Sequence, residues 1–195
     1  MTSQPLRDRL RASTASAILD ATEAIAATEG LHGTSLQVVA ERAGVAVGTI
    51  YNYFHDRDNL FEELLARRRE ELFKSIEAAA KRHSSARFEA RLEAFVRAIF
   101  LFFDVRRDFL RVALQPEQTG DRKRRPTMEQ LLAHAERIVR VGVRERRLRD
   151  EDVPLLANVL VSVVRGVLHA HADRDVPLAS ETDAVVALFL HGAAR

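Results

Sequence analysis

The side chains best suited to catalysis are sparse and scattered in this chain. It has no cysteine, which excludes a disulfide framework, a thiolate metal site and a cysteine nucleophile and suits a reducing compartment. No serine stands in a nucleophile elbow, and neither a phosphate loop nor a pair of inward carboxylates can be found. His169 and His171 invite a metal ion. Residues two apart on a helix, however, point about 200° from one another and cannot chelate together. The expectation is therefore no metal, no cofactor and no enzymatic activity.

The spacing that carries chemistry lies between Leu36 and Tyr53. A helix-turn-helix needs a small residue where its two helices touch, a glycine in the left-handed turn between them and apolar residues that fix one helix across the other. Ala40, then Gly44 four residues later, with Val39, Ala43, Val45 and Ile50, meet these needs. On spacing alone any pair of short helices could show the same pattern, so the flanking residues must decide.

Those residues have to be positioned by helices. The chain has 195 residues, 47% of them apolar, enough for one or two globular domains with a real core. Thirty Lys and Arg nearly cancel 28 Asp and Glu, so bulk charge makes no case for nucleic-acid binding. Helix-forming Ala, Leu, Arg and Glu dominate, whereas Gly numbers eight, Pro five and Trp none, which points to an all-α fold. Apolar periodicity predicts a first helix over about Thr14 to Glu29, stopped by Gly30, and a second over Leu36 to Ala43, capped by Thr34 or Ser35. A third follows over about Val47 to Phe54, and Asp56 caps a fourth that continues to about His83. The first thirty residues lack the order of a signal peptide. The apolar run from Leu155 to Val164 is closed by Arg165, short of the roughly 20 residues of a membrane span. A cytoplasmic protein without a membrane segment is expected.

Gly30, Thr34, Ser35, Leu36, Val39, Ala40, Ala43, Gly44, Val45, Gly48, Thr49, Ile50, Tyr51, Tyr53, Phe54, Arg57 and Leu60, within GTSLQVVAERAGVAVGTIYNYFHDRDNLFEELL, give the chain its identity. Through them it resembles the tetracycline-repressor (TetR) family of bacterial transcriptional regulators. The resemblance covers the first third; the rest matches only in helical layout and length. It implies a DNA-binding domain over residues 1–57, with a mobile arm over 1–13 that carries Arg7, Arg9 and Arg11, and a ligand-sensing and dimerisation domain over 58–195. The third helix would enter the DNA major groove. Gly48 would let the backbone approach closely, Asn52 would read adenine, and Tyr51 would meet a thymine methyl or a phosphate. The hydroxyls of Thr34, Thr49 and Tyr53 would suit phosphates, with Ser35 beside them. Arg57 would clamp a phosphate together with the N-terminus of the fourth helix. Many members carry a basic residue where Val47 stands and a serine where Ala46 stands, so Val47 would read a thymine methyl instead. Residues 1–57 hold five arginines against six acids, which implies moderate affinity.

Further along, six of the ten phenylalanines fall between positions 88 and 109. Phe95, Ile99, Phe102, Phe103 and Phe109 would form either a filled core or, in a sensor, the wall of a pocket for an apolar or aromatic small molecule. His134, Arg137, Asn158, Ser162 and Arg165 are the polar candidates to orient it. Lys123, Arg124, Arg125 and Pro126 read as a mobile loop. The last two helices, about Asp152 to Asp173 and Ser180 to Ala193, are apolar on more than one side. Leu155, Leu156, Val159, Leu160, Val163, Val164, Val167 and Leu168 form one face of the first, and Val161, Gly166 and Ala170 add a second. A second subunit would cover the surplus, as the resemblance also implies, with Val161 and Gly166 marking the interface. The function so implied is a homodimeric repressor that leaves a palindromic operator when a ligand binds; the alternative is a helical small-molecule sensor or adaptor without operator binding.

Overall fold

The computed structural model describes residues 6–115, 121–149 and 152–193. They form nine α-helices and one 3₁₀ turn. Helix α1 (Leu6–Gly33) starts earlier than apolar periodicity predicts, because Leu6 to Ala12 holds no glycine, proline or β-branched residue to stop it. Arg7, Arg9 and Arg11 therefore lie on exposed helical turns rather than in a mobile arm, and the Arg11 guanidinium stands 5.6 Å from the Tyr53 ring centroid. Gly30, at φ 71° and ψ 167°, breaks the regular helix just before its end.

The next turns are capped as their residue types dictate. Ser35 accepts the N–H of Val38 at the head of α2 (Leu36–Ala43), and Gly44 closes that helix at φ 68°, ψ 32°. Helix α3 (Val47–Tyr51) has no side-chain cap at Ala46 and ends three residues sooner than predicted. Its last turn tightens into i→i−3 bonds from Asn52 to Thr49 and from Tyr53 to Ile50. Asp56 accepts the N–H of Asn59 at 2.7 Å and the Asn59 side chain accepts the N–H of His55, a reciprocal cap that starts α4 (Arg57–Arg82).

The remaining helices are α5 (Phe88–Val105), α6 (Arg107–Leu114), α7 (Asp121–Arg144), α8 (Val153–Ala170) and α9 (Thr182–Ala193), the last preceded by the 3₁₀ turn Leu178–Glu181. Residues 123–126, predicted as a loop, lie in α7; Pro126 forgoes a single hydrogen bond near that helix's start and does not break it. Two cores result. The first joins α1, α2 and α3 to Leu60, Phe61 and Leu64 of α4, and takes in Val112 of α6. The second is built around α5, which packs against α4, α7 and α9. Gly142 permits a close approach there: a Cβ on it would lie 2.8 Å from side-chain carbons of both Phe88 and Leu148.

Helix α8 has 18 residues and a mean hydropathy of 1.7, long and apolar enough by those measures alone to cross a membrane, where residue counting had expected no such segment. Its inner face, Leu156, Ala157, Leu160, Val161, Val164 and Leu168, is buried in the second core. The other face exposes Leu155, Asn158, Val159, Ser162, Gly166 and Ala170. The expected faces are thereby revised: Val161, assigned to the outer one, is only 4% exposed, while Leu155 is 54% exposed.

Candidate nucleic-acid interface and interior cavity

On the first core, Ile50 is fully buried and anchors α3, leaving Gly48, Tyr51 and Asn52 exposed and Val47, Thr49 and Tyr53 half-buried on the same short helix and its end. Asn52 stands at the C-terminal end of α3 rather than within it. A Cβ at Gly48 would meet nothing within 4 Å, so the protein's own packing does not demand a glycine there. Arg57, half-buried, donates to the Leu31 carbonyl at 3.4 Å and so ties the start of α4 to the end of α1. Thr34 does not join this surface. It is 1% exposed and its hydroxyl donates to the Gly30 carbonyl at 2.9 Å, holding the kink of α1, so it offers no group to a phosphate. Ser35 spends its oxygen as the acceptor that caps α2.

In the second core, Phe95, Ile99, Phe103 and Phe109 line a cavity of about 490 Å³, with Leu72, Val161, Val164 and Leu168 completing its buried wall. Phe103 and Phe109 stack at 6.0 Å between centroids, and Phe102 meets both edge-on from outside the lining. Of the polar residues expected to orient a ligand, only Arg165 reaches this cavity. Asn158 and Ser162 lie on the opposite, exposed face of α8, and Asn158 donates to the Pro154 carbonyl. His134 and Arg137 border a separate cavity of about 340 Å³, shared with Phe95. Burial, reinforced by Arg137, holds His134 below its ordinary pKa, and the neutral ring accepts from Arg137 at Nδ1, 2.8 Å away, while stacked on Phe73.

Residue reasoning missed the arginines of α4. Arg68 is buried and donates to Glu23 at 2.6 Å and Asp20 at 2.5 Å, both on α1, and to Glu71. Glu71 in turn pairs with Arg106, which separates α5 from α6. Burial works against the Arg68 charge, but the bonds to Glu23 and Asp20 outweigh it and hold the guanidinium protonated above its ordinary value. Burial likewise pushes the Glu23 carboxyl up, against the pull of Arg68. The spacing Leu64, Arg68, Leu72 was the available signal: an arginine at intervals of four within an apolar stripe must be buried and paired. Its neighbour Arg69 lines the larger cavity.

Residues 18–64 match the family model described as bacterial regulatory proteins, tetR family. Over this segment, and not over the chain as a whole, the sequence is similar to that family. Over 63 residues it is 44% identical to the HTH-type transcriptional repressor KstR of Mycolicibacterium smegmatis, a match covering 32% of this chain and 31% of that protein. The chain thus spans less than a third of that relative's length. Two solved structures share the whole fold. The fatty acid degradation regulator FadR of Bacillus halodurans has a TM-score of 0.81 and 21% identity, with 92% of this chain and 95% of that one covered. The transcriptional regulator FadR of Bacillus subtilis, crystallised with stearoyl-CoA, has a TM-score of 0.79 and 20% identity, with 91% and 98% covered.

Proposed function

We propose that this protein is a sequence-specific transcriptional regulator, a homodimeric repressor that leaves an inverted-repeat operator when a small apolar or aromatic molecule enters the cavity. The observation that carries the reading is the α2–α3 pair. Ile50, the Ser35 cap and the left-handed Gly44 hold it rigidly, and it presents Gly48, Tyr51 and Asn52 outward from a segment that matches the tetR family. Val47 and Thr49 contribute to the same surface, Asn52 reads a base edge, and Tyr53 and Arg57 hold phosphates. Steps of four, seven and four on α8 leave Leu155, Val159, Gly166 and Ala170 exposed on one face, and Leu188 of α9 is 64% exposed. A second copy packed on α8 and α9 buries these residues and sets two α3 helices side by side.

Signal transfer runs through two helices. Phe109, Ala113 and Leu114 of α6 line the cavity, while Val112 of the same helix sits in the first core and Gln115 just beyond it donates to the Ala26 carbonyl of α1 at 3.0 Å. Helix α4 spans both cores and is bonded to α1 by Arg68. A ligand that displaces α6 or α4 therefore moves α1, and with it the spacing of the two α3 helices.

Footprinting of the purified protein on its own and neighbouring promoters tests the reading, followed by ligand titration with and without the protected fragment. Linkage requires operator DNA to weaken ligand binding by the factor that ligand weakens DNA binding. A protein that binds ligand with equal affinity in both titrations is a sensor without this switch, and one that protects no DNA is the adaptor of the alternative reading.

A further inference from the structure

Arginine cannot shed its charge in a protein, so a guanidinium drawn partly out of water has to find an acceptor. Among the described residues the half-buried arginines obey this: Arg57, Arg67, Arg91, Arg106, Arg107 and Arg111 each donate to a carbonyl or a carboxylate. Arg69 departs from it. It is half-buried on α4, faces the 490 Å³ cavity and has no hydrogen-bonding or ion-pair partner. It also borders the shallow groove between α4 and Gln130 of α7, which places it where the cavity meets the surface. Arg165, across the cavity on α8, is exposed to solvent and also has no protein partner. Among the described residues lining the cavity Glu129 is the one carboxylate, and it pairs with neither arginine. Among the described residues the deep wall is apolar and the rim carries two arginines against one glutamate.

We propose that the effector is an amphiphilic anion: an apolar body against Phe95, Ile99, Phe103 and Phe109, and a carboxylate or phosphate head held by Arg69 and Arg165. Both head groups offer paired oxygens that match the guanidinium fork. This rests on the cavity being the effector site and adds the ligand's charge to that reading. It also gives the switch a point of application. Arg68 and Arg69 are adjacent on α4; the first is bonded to Asp20 and Glu23 of α1, the second meets the anion. A head group drawn to Arg69 thus acts on the turn of α4 that is fastened to the DNA-binding half.

Calorimetric titration of the full chain, without DNA, with dodecanoate, dodecyl phosphate and dodecanol tests this with one tail and three heads. At least one of the anions is expected to bind about tenfold or more tightly than the alcohol, and the tighter anion identifies the head. Arg69→Gln with Arg165→Gln should bring anion and alcohol to the same affinity while the alcohol's own affinity and the melting temperature stay unchanged. Equal binding of all three ligands, binding of none, or a preference that survives in the double variant would overturn the proposal. Because no DNA is present, these outcomes are independent of operator recognition: a chain that fails to protect any promoter can still show the anion preference, and the reverse also holds.

Discussion

Asn52 and Arg57 divide the proposed DNA surface into reading and holding. Asn52 is exposed and free to offer a paired donor and acceptor, so Asn52→Ala should cost about 1–3 kcal/mol at a single position of each half-site and little on random DNA. Arg57→Ala should weaken operator and random DNA alike. Fluorescence anisotropy with operator, single-base variants and random duplex measures both; equal losses on all duplexes for both variants would reverse the assignment. Gly48→Ala sharpens the contrast, since its Cβ meets no protein atom. It should melt like the wild type yet lose operator affinity if DNA approaches the backbone there. Which residues of α3 are left outward was legible from the Gly44 and Ile50 spacing. That Thr34 is not part of it was not legible, because a threonine hydroxyl satisfied by the carbonyl four residues back looks the same in sequence as one offered to solvent.

At the level of helices, Gly142 of α7 leaves no room for a Cβ beside Phe88 of α5 and Leu148 just beyond α7. Gly142→Ala should lower stability by about 1–3 kcal/mol through overpacking, read as a lower melting temperature with operator affinity retained in the cold; an unchanged melt would show that the neighbours yield freely. Caps made the helix limits at Ser35, Gly44 and Asp56 readable in advance. The start of α1 and the helical state of residues 123–126 were not readable, since a basic run serves an exposed helix as well as a loop. The faces of α8 were misassigned for a different reason. A helix apolar nearly all round gives periodicity nothing to choose between, and only its packing partners set Val161 inward and Leu155 outward. The phenylalanine cluster was legible as either core or pocket wall, and Arg165 on the rim was legible too; Arg69 was not, because it comes from a helix separated in sequence from that cluster.

For the whole molecule, Gly166→Glu is the clean probe of the subunit contact, because that position faces open space and Val161 belongs to the core. Sedimentation should show a wild-type dimer at micromolar concentration and a folded monomer for the variant, with operator affinity falling by orders of magnitude as one half-site is lost. A variant that remains dimeric would place the contact elsewhere. The seat of Val112 carries a separate consequence, for how such proteins can be recombined. This fully buried side chain of α6 completes the core that supports α3. The N-terminal helices are therefore not a portable cassette. Spliced onto a foreign sensor, they would carry an unfilled socket on α1 unless the new partner supplied a side chain of matching shape, and chimeras that keep α6 with the head should outlast those that cut between them.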